Sequence, residues 1–172
     1  MTQLLTDLQL RAARQVLNIG VRDIAKLLKT SKSTISKAEQ GKTRDFFFKH
    51  SAALIDFFKK NNILFPNNHT ICLAYPIEIN SHANKSIKLT RFQLKSARCI
   101  MNLSQLNFSK LVGIDKGVLS RAELLDNIQF INPSDKTIIN KIKDVFTEQN
   151  VEFPNPYSIF FKKYIDNRSN NW

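Results

Sequence analysis

The sequence predicts a mainly α-helical protein in which one small domain is written twice in tandem, each copy closing on a short β-hairpin. Three observations predict this. Sliding the chain by 84 positions aligns LTDLQLRAARQVLNIGVRDIAKLLKTSKSTISKAEQ (5–40) with LTRFQLKSARCIMNLSQLNFSKLVGIDKGVLSRAEL (89–124), and 13 of the 36 ungapped pairs are identical. Apolar residues in both copies recur at helical spacing behind N-cap residues. Farther on, NNILFPNN (61–68) matches QNVEFPNP (149–156) at an offset of 88, each placing a Pro-Asn turn between two short apolar stretches. A repeat of this length requires each copy to build the same supersecondary unit. Domains are expected at 1–74 and 89–172, joined at 75–88 by a polar linker without helical period. The second copy carries four extra residues around DNIQFINPS.

The elements follow in order. Thr6 and Thr90 are N-cap candidates for the first helices, in which Leu10, Ala13, Val16 and Leu17, or Leu94, Ala97, Ile100 and Met101, fall at helical spacing. Second helices are expected near 21–28 and 105–112, the latter capped by Ser104. A turn follows, with Gly113 in the second copy and Lys29 in the first. Third helices, 31–40 and 115–124, start at Ser31 and Asp115. Two short helices joined by a tight turn, the second of them polar, basic and capped, form a helix-turn-helix. A longer helix near 49–61 or 134–149 offers Leu54, Phe57 and Phe58, or Ile142, Val145 and Phe146, to the core. Hairpins are expected at 63–74 and 151–164. The phenylalanines at 46–48, 57, 58, 160 and 161 are read as core and hairpin packing.

Charge is the strongest global signal. The chain carries 26 Lys and Arg against 14 Asp and Glu, a net +12. The excess divides into +7 over residues 1–64, +1 over 65–88 and +4 over 89–172, so it belongs to both copies and not to a tail. Such a balance calls for a polyanion, nucleic acid or an anionic membrane surface. Membrane binding needs a helix with a basic face and an exposed apolar face, and the apolar faces here are needed for two small cores, so no membrane partner is expected. No apolar run approaches the roughly 20 residues of a membrane span, and the N-terminus lacks a signal-peptide pattern; a cytoplasmic location is expected. Cys72 and Cys99 lack a partner motif, and His50, His69 and His82 lack acidic or thiol neighbours at ligand spacing. Neither a metal nor a cofactor is expected, no phosphate-binding glycine loop exists, and the chain is read as a non-enzyme.

In both copies the register, cap and spacing resemble the phage-repressor, Cro-like (XRE-type) helix-turn-helix regulators of bacteria and phage, with the pattern LT..QLRAAR..L..S...LA...GVS..TI...E.G. The resemblance covers nearly all of both repeats. It implies two tandem lambda-repressor-like domains of the five-helix type, acting as a transcriptional regulator on double-stranded DNA. It further implies that the third helix enters the major groove. Carried over by position, the base-reading residues are Lys32, Ser33, Ser36 and Lys37 in the first copy and Lys116, Gly117, Ser120 and Arg121 in the second. The family's phosphate-gripping Gln at the start of the second helix is present as Gln105 and replaced by Val21 in the first copy, where Arg22, Lys42 and Arg44 are the candidate phosphate contacts. The family's pairing of an Arg on the first helix with a Glu at the end of the third implies structural ion pairs Arg14–Glu39 and Arg98–Glu123.

Tandem copies place two recognition helices in successive major grooves of an imperfect inverted repeat, roughly 34 Å apart, within the roughly 46–50 Å reach of a 14-residue linker. The expectation is a monomeric pseudo-dimer through the hairpins; the competing arrangement is a homodimer through the same hairpins. The alternative function is a helix-turn-helix protein acting mainly through protein contacts, as an antitoxin or a co-regulator of RNA polymerase.

Overall fold

A computed structural model describes residues 3–74, 88–129, 131 and 137–162. Most of the expected linker (75–87), the start expected for the last helix (134–136), part of the four-residue insertion, the tail of the second hairpin (163 and 164) and His82 lie outside the described residues. The chain divides into two compact units, Met1–Ala74 and Tyr75–Trp172. It is mainly helical, with eight helices and two antiparallel hairpins among the described residues.

The first unit runs α1 (Asp7–Val16), α2 (Val21–Leu27), α3 (Lys32–Ala38), α4 (Arg44–Lys60), β1 (Ile63–Leu64) and β2 (Thr70–Leu73). The second repeats this order as α5 (Arg91–Ile100), α6 (Gln105–Val112), α7 (Lys116–Ala122), α8 (Thr137–Glu148), β3 (Val151–Glu152) and β4 (Ser158–Phe161). Each unit therefore has four helices among the described residues, not five, and its hairpin follows the fourth. The hairpins share one register at an offset of 88, with Ile63 opposite Leu73 and Val151 opposite Phe161.

Local chemistry explains the boundaries. Thr6 and Thr90 each accept from the N–H three residues on, and Gln9 and Gln93 return the favour through Oε1, closing two capping boxes. The same two glutamines reach farther than the sequence suggests. Gln9 Nε2 donates to the carbonyls of Asn67 and Thr70 (2.7 and 3.0 Å), and Gln93 Nε2 to that of Asn155 (2.8 Å), so one side chain caps the first helix and fastens the hairpin turn. Asparagines end helices in the left-handed conformation at matching places, Asn18 with Asn102 and Asn62 with Asn150. The α2–α3 turn requires the same conformation. Gly113 adopts it at φ 74° without Cβ strain, while Lys29 is held there at φ 50°.

The cores correspond residue for residue. Leu10, Ala13, Val16, Ile24, Ile35, Leu54, Phe58, Ile63 and Ile71 are buried in the first unit, and Leu94, Ala97, Ile100, Phe108, Leu119, Ile142, Phe146, Val151 and Ile159 in the second. The exchange of Ile24 for Phe108 adds a ring that stacks on Phe146 at 5.1 Å. Leu17, Met101, Phe57 and Val145 are only half-buried. The reading of residues 46–48 as packing needs correction: Phe46 and Phe47 are buried, but Phe48 is 72% exposed. Helix α4 starts at Arg44, earlier than its apolar pattern implied, and three successive helical residues cannot share one face. Among the described residues no helix is long and apolar enough to cross a membrane.

Candidate nucleic-acid interface

The third helix of each unit is held by one buried arginine. Arg14, on α1, donates from Nε and Nη2 to both Glu39 oxygens (2.6 and 2.9 Å) and from Nη1 to the carbonyl of Ile19 (2.8 Å). Arg98, on α5, does the same with Glu123 (2.5 and 2.7 Å) and with the carbonyl of Leu103 (2.6 Å). Glu39 and Glu123 are the C-caps of α3 and α7, while Ile19 and Leu103 directly precede the caps of α2 and α6. A single guanidinium thus ties together the first helix, the start of the second and the end of the third. Both pairs are buried. Burial pulls the Arg98 pKa down, but the bond and charge of Glu123 outweigh it and leave it raised.

A second arginine holds the backbone at the same cap from different places. In the first unit Arg11 Nη2 donates to the Glu39 carbonyl. In the second that position is Lys95, and Arg91, one turn earlier, reaches the Glu123 carbonyl through Nε (3.1 Å) while Nη1 donates to Asn127. The segment after α7 folds back onto the start of α5, where the Arg91 and Phe92 N–H groups donate to the carbonyls of Gln129 and Asn127 (2.9 and 3.1 Å). These carbonyls satisfy first-turn donors that a helix leaves open. Neither Gln9 nor the Arg11/Arg91 exchange was singled out from sequence; their only signal was polarity at positions that the helical period assigns to a buried face.

So held, α3 buries Ile35 and Ala38 and turns Lys32, Ser33 and Lys37 outward, with Ser36 half-buried. Helix α7 buries Leu119 and Ala122 and exposes Lys116 and Arg121, with Gly117 and Ser120 half-buried. Arg22 and Lys42 are exposed beside α3. The Arg44 side chain lies outside the described positions. Gln105, expected to grip a phosphate, is half-buried and donates one amide N–H to Glu123 Oε2 (2.9 Å), which adds a bond to the buried Arg98–Glu123 pair. Val21, half-buried, stands at the same place in the first unit and leaves that pair without this bond.

The two helix starts differ in charge. Ser31 Oγ accepts from the Thr34 N–H (3.0 Å). Asp115 Oδ1 accepts from the Gly117 and Val118 N–H groups (2.7 and 3.3 Å), and a Cβ on residue 117 would stand 2.8 Å from that oxygen. The glycine is thus coupled to the aspartate cap. Beside α3 an open groove of about 510 Å³ runs between the α2–α3 turn and the start of α4, lined by Thr34, Lys42, Lys49 and His50 together with Asp45. Burial, then Lys49, lowers the His50 pKa.

Among the described residues no cluster of three His, Cys, Asp or Glu side chains is placed to hold a metal. Cys99 is buried, and the half-buried Cys72 thiol, its pKa raised by burial, donates to the Leu64 carbonyl. No family model, curated protein or solved structure matches the chain.

Proposed function

We propose that the chain is a sequence-specific, double-stranded DNA-binding transcriptional regulator of the Cro-like (XRE-type) class, built from two tandem helix-turn-helix domains and acting without an enzymatic step or a cofactor. The observation that carries the reading is the repeated arginine clamp. It fixes a short helix by its buried end and leaves Lys32, Ser33 and Lys37, or Lys116 and Arg121, turned outward from a rigid scaffold. A side chain that reads a base edge must be held in register by its scaffold. The net charge of +12 supplies attraction to phosphates.

In this reading α3 and α7 address the two half-sites of an imperfect inverted repeat. The chain does so alone as a pseudo-dimer, and light scattering of the DNA complex distinguishes this from a homodimer. Selection of bound duplexes from a random pool, followed by footprinting, tests the function. An enriched motif with two unequal half-sites is expected, and affinity falls steeply with salt. No binding to any duplex at low salt sinks the proposal. One observation favours the alternative of a protein-binding role, as an antitoxin or an RNA polymerase co-regulator: Leu106, Leu111 and Leu124 are 47%, 56% and 82% exposed around the second unit's helix pair. A salt-insensitive complex with another protein, in place of DNA binding, is its signature.

A further inference from the structure

The two helix pairs share a scaffold but not a surface. Over residues 21–45 the first unit carries seven cations against three carboxylates, a net +4, whereas residues 105–129, which run from the same helix start into the insertion, carry three of each and are neutral. The exchanges fall on exposed positions around the outward helix. Arg22 is replaced by Leu106, Lys29 by Gly113 and Gln40 by Leu124, and the loop after α3 carries Lys42 where the loop after α7 carries Asp126, all of them exposed. At the start of the outward helix the neutral cap Ser31 is replaced by the carboxylate of Asp115. The Arg121 guanidinium lies back along α7, its Nη1 3.5 Å from where a Cβ on residue 117 would stand, the same gap that Asp115 Oδ1 approaches at 2.8 Å. Arg121 Nη1 and Asp115 Oδ1 thus flank the same glycine, and an acid stands near the cation that a phosphate would meet.

Resting on the DNA-binding reading above, we infer that the two units divide the work unequally: the first supplies most of the grip on the DNA backbone as well as reading its half-site, and the second adds sequence discrimination with little backbone grip. Cations that neutralise phosphates set the slope of log affinity against log salt, each contributing about 0.9 on duplex DNA. A face with exposed Arg22 and Lys42, the candidate phosphate contacts, beside Lys32 and Lys37 contributes at least two such contacts. A face that carries the carboxylates of Asp115 and Asp126 as well as Lys116 and Arg121 contributes fewer. The chain therefore stays on DNA through its first unit, and the second tunes where it stops.

The test measures the affinity of the full chain for a labelled mixed-sequence duplex across a salt series. Three variants are compared with the parent: Arg22→Ala/Lys42→Ala, Lys116→Ala/Arg121→Ala and Asp126→Lys. All replaced side chains are exposed, and circular dichroism checks that each variant folds. The first pair is expected to flatten the slope by about 2, and the second pair by less than half as much. Asp126→Lys, which places a cation in the loop after α7, steepens the slope by about 1. Equal flattening by the two pairs, or an unchanged slope for Asp126→Lys, overturns the division of labour while leaving DNA binding intact. A parent chain that binds no duplex at all overturns the DNA-binding reading itself, and with it this inference.

Discussion

At the scale of single residues, the repeat works as an internal control, because each position is tried twice. Lys29 and Gly113 make the same turn in the same left-handed conformation, but only the glycine does so without strain. Lys29→Gly should raise the stability of the first unit by about 1 kcal/mol, read from the denaturant midpoint; no gain means that the turn relaxes around the lysine. Lys95 shows the opposite situation. It is 7% exposed, and its pKa is lowered from 10.5, first by burial and then by the neighbouring Arg91. Between the lowered folded value and the ordinary unfolded one, the unfolded chain binds more protons, so stability rises with pH across that alkaline window. Lys143, lowered by burial, acts with the same sign. Replacing Lys95 with Met should flatten the rise; an unchanged pH profile of the melting temperature refutes the assignment. Lysine at 95 reads from sequence as a conservative partner of Arg11. Its burial is a tertiary matter.

At the scale of elements, the buried carboxylate that ends the third helix carries the most strain if removed. Glu39 serves Arg14, while Glu123 serves both Arg98 and Gln105. Removing one partner of a buried pair strands a charge and costs about 3–5 kcal/mol, a large share of the 5–15 kcal/mol that holds a typical domain together. Glu123→Ala should therefore destabilise its unit more than Glu39→Ala does the first. Equal losses in thermal unfolding tell against a structural role for the Gln105 bond. The Arg–Glu spacing of 25 residues was legible because it occurs twice at the right place in a resembling pattern. The role of Gln105 was not, since a polar residue at a helix start suits a surface contact as well as a buried bond, and only the distance to Glu123 separates the two. The caps at Thr6, Ser31, Thr90, Ser104 and Asp115 were all legible, because a cap is a local bond between residues two or three apart. The start of α4 and the exposure of Phe48 were not. A run of three phenylalanines satisfies any period, and its outward member is chosen by how the helix lies on the core.

At the scale of the whole molecule, the proposed DNA-binding role makes separate predictions for the two helix pairs. Arg121→Ala should relax base preference in one half-site only, by roughly 1–3 kcal/mol at the affected position, as read from binding to single-base operator variants. Equal relaxation in both halves contradicts a chain that supplies two different readers. The sequence by itself determined the duplication, the order of elements, the caps, the helical core positions and the excess of positive charge, because all of these follow from spacing and composition within one copy. Only the tertiary structure decided that one arginine ties three helices, that one glutamine joins a helix cap to a hairpin turn, and that Gln105 faces Glu123. It also set Asp115 and Arg121 beside a single glycine gap. The first three share a physical reason: each depends on which groups a buried contact brings within about 3 Å, which is settled by packing across residues 18 to 58 positions apart; the fourth depends on side-chain direction on one exposed helix turn, not on spacing along the chain.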